Sequence, residues 1–263
     1  MSIRRRLFTT LVVLGELSEK LSRAFLFLGV GILRRADLAE VSRRSWSQFG
    51  QVDSQVQSGL NAWEAATYLP FVAKGARLCI VGCGSGRLVL PFVDEGHDVV
   101  GVEPSPEPVA RLRQTLRERG QNATVVEARI EEAALPGAFD LILFSLNCYG
   151  YVQGSDTRIA MLNSLASHLK ADGRIFISYP RRRADWANRS ARLTMLAARL
   201  TRSDWRIEPY DSLLRLDVPG EPGAVIFEHF FSPEDIEREA GQAGLRVCVH
   251  GDPWATPYAV LCR

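Results

Sequence analysis

Short apolar runs recur along the chain from residue 78 onward. Leu78 to Val81, Val99 to Val102, Ala123 to Glu127, Phe139 to Ser145 and Arg174 to Tyr179 read as strands. Helical stretches alternate with them. Pro106 to Arg119 opens on proline and closes on Gly120, and Asp156 to Leu169 follows the fourth run. Such alternation predicts an α/β chain with a parallel sheet. After a helix over Pro233 to Ala243, Leu245 to His250 and Tyr258 to Cys262 read as a closing hairpin. The expected architecture is a doubly wound, seven-stranded, mostly parallel sheet with an antiparallel last strand.

Two regions depart from this rhythm. In residues 1–35, Arg4, Arg5 and Arg6 precede leucines at helical spacing, Leu7, Leu11, Leu14, Leu17 and Leu21. Ala24 to Leu33 is almost wholly apolar, and Arg34 and Arg35 follow. A helical pair is expected. Its apolar run falls short of the ~20 residues that span a bilayer. Glu16, Glu19 and Lys20 interrupt it and no small-residue cleavage site follows, against a signal peptide. Two readings stay open: packing against the rest of the chain or a second subunit as a homodimer, and peripheral contact with an anionic membrane. Residues 36–75 also read as helical, so 1–75 form an N-terminal extension and 76–263 the main domain. The second departure is an insertion over 180–230. It opens with a basic helical stretch, then two strands, Ser212 to Val218 and Ala224 to Phe231, around a turn at 219–223.

Composition narrows the class. With 263 residues, 46% hydrophobic and 24% charged, the chain has the make-up of a soluble globular protein, and a net charge of +2 implies no acidic partner. Five cysteines, Cys79, Cys83, Cys148, Cys248 and Cys262, are odd in number and lack paired spacing. Neither a disulfide framework nor a zinc site is expected, and a reducing cytoplasm fits.

The chemistry concentrates where the first strand ends. Gly82, Gly84 and Gly86 follow Val81, and the second strand ends in Glu103. Glycine turns strand into helix and admits close approach of a ligand to backbone. A carboxylate at the end of the next strand accepts two hydrogen bonds from a ribose diol. The spacing is not the dinucleotide pattern, because Arg87 occupies the place of the third glycine.

At Val81-Gly82-Cys83-Gly84-Ser85-Gly86 and Glu103 the chain resembles the class I S-adenosylmethionine-dependent methyltransferases. The resemblance covers roughly residues 76–180 and 231–263. It implies S-adenosyl-L-methionine as cofactor, its amino-acid tail over Gly82, Cys83, Gly84 and Gly86 and its ribose on Glu103, next to Pro104. The family commonly has an acid after the third strand to hold the adenine; here Ala128 or Arg129 stands there, leaving backbone near Arg129 and the Ile130 side chain. The fourth strand's end, Ser145 and Leu146, is implied beside the methyl group. The Asn-Pro-Pro-Tyr type signature is absent, and Asn147 and Tyr149 are acceptor-binding candidates. Many members carry a helical lid before the first strand, and Trp46 to Trp63 resembles one, turning at Gly59-Leu60-Asn61.

The insertion leaves the fifth strand at the pocket edge. Arg181, Arg182 and Arg183 there would favour an anionic small-molecule acceptor. Nucleic acid is disfavoured, since no stacking aromatics interleave with the arginines. His229 is the candidate general base, because the insertion returns to the sheet there. The implied function is methyl transfer to a small molecule. The alternatives are a non-catalytic nucleoside-binding or scaffolding protein on the same fold and, disfavoured by Arg87, a nicotinamide-dependent oxidoreductase.

Overall fold

The computed structural model describes residues 2–49, 58–182, 191–215 and 224–263. In chain order the elements are α1 (Ile3–Ile32), α2 (Arg35–Phe49), α3 (Ala62–Tyr68), β1 (Arg77–Val81), α4 (Val89–Asp94), β2 (Asp98–Glu103), α5 (Pro106–Glu118), β3 (Thr124–Glu127) and β4 (Phe139–Phe144). There follow α6 (Ser155–Ser167), β5 (Leu169–Ser178), α7 (Ala191–Thr201), β6 (Asp211–Arg215), β7 (Val225–His229), α8 (Pro233–Gln242), β8 (Arg246–Gly251) and β9 (Tyr258–Cys262).

Seven strands form one sheet in the order β3-β2-β1-β4-β5-β9-β8. β1 to β5 are parallel, and β9 runs antiparallel to both β5 and β8. The central strands are covered on both faces, which is why they read as unbroken apolar runs. Alternate residues feed opposite layers. Cys79, Val81, Ile142 and Phe144 pack with Met161 and Leu165 of α6 and Ile236 of α8. Leu78, Ile80, Leu141 and Leu143 pack with Val89 and Phe92 of α4, Leu112 of α5 and Trp63 and Tyr68 of α3.

Several expectations shift. The expected turn at Ala171-Asp172-Gly173 is taken up inside β5, whose register with β4 slips between Phe139–Leu169 and Leu141–Arg174. The helical pair expected in residues 1–35 is a single helix, α1. No disulfide framework is expected from the cysteine spacing, yet one bridge is present. Cys248 and Cys262 form a disulfide between β8 and β9, Cα atoms 6.2 Å apart, leaving Cys79, Cys83 and Cys148 free. Cys248 lies in a register shift between Val247 and Val249, invisible to sequence spacing. Arg183, the turn at 219–223 and residues 216–218 of the expected strand lie outside the described residues.

The N-terminal helices and the insertion, expected as separate additions, share a core of Phe27, Val30, Leu38, Trp205, Leu213, Val225 and Phe227. Gly31 makes the contact of α1 with α7 close; a Cβ there would stand 2.5 Å from the Thr194 carbonyl oxygen and 2.8 Å from Ala197 Cβ. β6 and β7 pair antiparallel. The outer edge of β7 is closed by α2: Val225 N–H donates to Ser45 Oγ (3.0 Å) and Phe227 N–H to Ser42 Oγ (3.3 Å). Among the described residues no helix is long and apolar enough to cross a membrane.

Candidate functional site

β1 is flanked by β2 and β4, so the connections leaving the carboxyl ends of β1 and β4 diverge. That switch point is where an open α/β sheet binds ligands. A cavity of about 360 Å³ lies there.

Its floor is the glycine turn. The Gly82 and Cys83 amides donate to the Val102 carbonyl, at 2.9 and 3.1 Å, fastening the turn to β2. A Cβ on Gly82 would come within 2.5 Å of Cys148 Sγ and 2.7 Å of Ser145 Oγ. Gly84 is different. Its φ is +51°, which favours glycine, yet a Cβ there would meet nothing within 4 Å. The bare backbone at Gly84 faces open space within the cavity wall.

Glu103 closes the adjoining wall and is buried. One carboxylate oxygen accepts from Gly84 N–H (3.1 Å), the other from Ser105 N–H (3.0 Å). The Ser105 side chain bonds the carboxylate as well, and the group keeps lone-pair capacity beyond these three bonds. Burial pushes this carboxyl above its ordinary range, and the bonds from Ser105 and Gly84 pull the other way. Ser145 Oγ donates to the Gly82 carbonyl (2.9 Å) and touches Cys148 Sγ. Burial pushes the Cys148 thiol up to about 12, so it stays protonated at neutral pH.

The same descriptions recur in known proteins. The profile of a family described as a methyltransferase domain matches residues 62–250. The chain belongs to this methyltransferase family. It is 28% identical over 120 residues to a cypemycin N-terminal methyltransferase of a Streptomyces species, covering 46% of this chain and 47% of that protein. It is 28% identical over 106 residues to a ubiquinone biosynthesis O-methyltransferase of Dechloromonas aromatica, covering 40% and 44%. The chain thus spans less than half the length of these curated relatives. A solved S-adenosylmethionine-dependent methyltransferase of Clostridium acetobutylicum superposes with a TM-score of 0.56 at 15% identity, over 80% of this chain and 94% of the other, and shares its fold.

The cavity collects most of the residues expected from sequence. Gly82, Cys83, Gly84, Glu103, Pro104, Arg129, Ile130, Ser145 and Leu146 all line it. Gly86 does not; at φ +105° it packs against α5, where a Cβ would stand 2.5 Å from Leu112 Cδ1. An acid does reach the wall after β3, Glu131 rather than residue 128 or 129, paired with Arg129.

The three candidates for acceptor binding and proton removal do not line the cavity either. Tyr149 is fully buried and its hydroxyl donates to Glu239 (2.6 Å). His229 is buried with Nδ1 2.7 Å from Asp211 Oδ1. Asn147 adopts a left-handed φ of +61° and donates its amide to Ser178 Oγ (2.9 Å); both its neighbours line the cavity and it does not. Neither Tyr149, expected to bind the acceptor, nor His229, expected to remove a proton, lines the cavity in this structure. Each side chain is claimed by a buried partner that sequence could not reveal.

The expected basic rim stands apart from the cavity. Arg181 is paired with Asp252; Arg182 pairs with Asp235 (3.2 Å) and lies over the Tyr210 ring. Neither lines the cavity. The arginines that do are each held by an acid: Arg43 by Glu40, Arg87 by buried Glu64 in two bonds of 2.5 and 2.6 Å, and Arg129 by Glu131.

The far wall was largely missed. α2 contributes Ser42, Arg43 and Trp46, and the turn after β4 contributes Tyr151, Val152 and Gln153. Trp46 and Tyr151 rings stand 4.7 Å apart. Gln153 is 2% exposed, and its Oε1 has no hydrogen-bond partner among the described residues. Of the expected lid, Trp46 reaches the cavity whereas Trp63 packs against Tyr68 and Phe176 in the core. The only signal for α2 was its place before the first strand.

Proposed function

We propose that the protein is an S-adenosylmethionine-dependent methyltransferase whose acceptor is an uncharged small molecule. The observation that carries this reading is the pairing of Gly84's bare backbone with the buried carboxylate of Glu103 across one cavity at the switch point. The residues fit the cofactor. Glu103 offers acceptor positions for a diol, Gly82 to Ser85 offer a side-chain-poor cradle, and Ile130 offers an apolar surface for a base. When bound, S-adenosylmethionine supplies a methyl group on a sulfonium, already activated for transfer.

The chain's work is then to position the acceptor and exclude water. Trp46 and Tyr151 present ring surfaces, and Gln153 Oε1 can accept a hydrogen bond from an acceptor N–H or O–H. Every lining arginine named above is already paired with an acid, so the wall favours a neutral molecule over a phosphate or carboxylate. The relatives' names include both an N- and an O-methyltransferase, and the receiving atom is left open here.

Calorimetry with S-adenosylhomocysteine and with NAD tests the cofactor. The wild type should bind the first and not the second. Gly84→Val, whose branched side chain would enter the cradle at an unfavourable φ, should fold and lose binding. Normal binding by that variant, or none by the wild type, sinks the reading. Methyl-transfer screens that pair neutral phenols and amines with their phosphorylated counterparts test the acceptor class; transfer confined to the phosphorylated members would overturn it.

A further inference from the structure

α1 runs 30 residues, but only Phe27, Val30 and Gly31 are buried. Residues 2–23 are all exposed, and the one side-chain contact that reaches them from β6 is a hydrogen bond from Arg215 to Ser22 Oγ (3.0 Å). Twenty such residues extend about 30 Å at 1.5 Å per residue. A helix this poorly supported is marginal in water, so its apolar surface calls for a cover. That surface is large. Leu7, Leu11, Leu14, Leu17, Leu21 and Phe25 form a continuous stripe, each at least half exposed.

Two covers compete. Leu7, Leu14, Leu21 and Leu28 recur every seven residues, a spacing a second copy could use. The charges oppose it. A parallel pair would bring Arg4, Arg5 and Arg6 of both copies together, with no acid before Glu16 to offset them. An antiparallel pair overlapping along the whole of α1 would set those arginines against the uncharged stretch Ala24 to Leu33, whose Phe27, Val30 and Gly31 are already buried within the same chain. Phe8, Val12 and Val13 are also exposed, so the apolar surface near the amino end is wider than a two-position seam.

An anionic bilayer answers both features. Its phosphates match three consecutive arginines, and its acyl boundary takes the uncharged stretch Leu7 to Gly15. Packed beside α1, α7 repeats the chemistry: Leu196 and Leu200 are exposed between Arg192, Arg199 and Arg202, themselves exposed. We propose that α1 is a membrane-docking helix that lays its leucine stripe into the surface of a bilayer rich in anionic phospholipid. This does not depend on the methyl-transfer reading.

The test is co-sedimentation of the full chain with vesicles of phosphatidylcholine alone or mixed with phosphatidylglycerol. The protein should pellet with the mixed vesicles, less so as salt rises, and stay in solution with the neutral ones. Arg4→Ser, Arg5→Ser and Arg6→Ser together should weaken partitioning on the order of a hundredfold. Leu11→Glu with Leu14→Glu should abolish it without changing the melting temperature, since both side chains are already exposed. Leu69→Glu, exposed but elsewhere, should leave it intact. Light scattering of the same variants covers the competitor. The proposal is overturned if the wild type ignores both vesicle types, if it binds them equally, or if the leucine variant dissolves a dimer that never bound vesicles.

Discussion

Glu103 carries two opposing demands. Burial raises its pKa, and two backbone amides help keep it charged. Glu103→Ala should weaken S-adenosylhomocysteine binding by about 1.5–3 kcal/mol, the scale of hydrogen bonds to a charged group. The pH dependence has a definite sign. Only the carboxylate accepts from a diol with both oxygens, so affinity falls as pH drops through the folded pKa. Because that pKa is raised, the fall begins above the ordinary 4.5. Titration calorimetry at descending pH checks it; flat affinity down to pH 4.5 would remove Glu103 from the binding site. The residue's role was readable from its place at a strand end. Its Gly84 amide partner was not, because Gly84 comes from a different turn.

β7 is an element held from both sides, by β6 along one edge and by Ser42 and Ser45 along the other. Its Glu228 is largely sheltered, and burial pushes its pKa up to about 7. The folded state thus prefers the protonated form, while the unfolded chain ionises near 4.5. Stability is lost as pH rises through this window and the carboxyl must charge in place. Glu228→Gln should therefore stabilise the protein at pH 8 by about 1–3 kcal/mol, with the gain shrinking below 7 and absent below 4.5. Melting curves across that range decide it, and an equal gain at all pH values would mean that burial of charge is not the cause. The strand itself was legible as an apolar run. Its serine-capped edge depends on residues some 180 positions away.

At the scale of the whole molecule, Arg158 joins parts remote in sequence. It is 1% exposed, makes three hydrogen bonds of 2.8 to 3.1 Å to Glu239 on α8, and bonds Glu208, between α7 and β6, at 3.0 Å. It also donates to the Val152 carbonyl (3.0 Å) on the turn that walls the cavity. Removing one partner of a buried pair strands the other. Arg158→Met should cost about 3–5 kcal/mol in urea unfolding, and adding Glu239→Gln should recover part of it. A loss below 1 kcal/mol, on the order of an exposed pair, would show that the network is solvated.

The sequence alone determined the sheet, the glycine turn and Glu103. Strand periodicity, turn glycines and a strand-end acid are local patterns, and their chemistry follows from a few neighbouring residues. Tertiary structure alone decided the rest. Tyr149, His229 and the arginines at 181 and 182 looked available because each lies near the expected pocket in the chain. In the fold Glu239, Asp211, Asp252 and Asp235 claim them. The disulfide waited on a register shift, and the far wall of the cavity on α2 docking against β7. Pairings of this kind join residues tens to hundreds of positions apart, and they exist only once the core has brought the elements together.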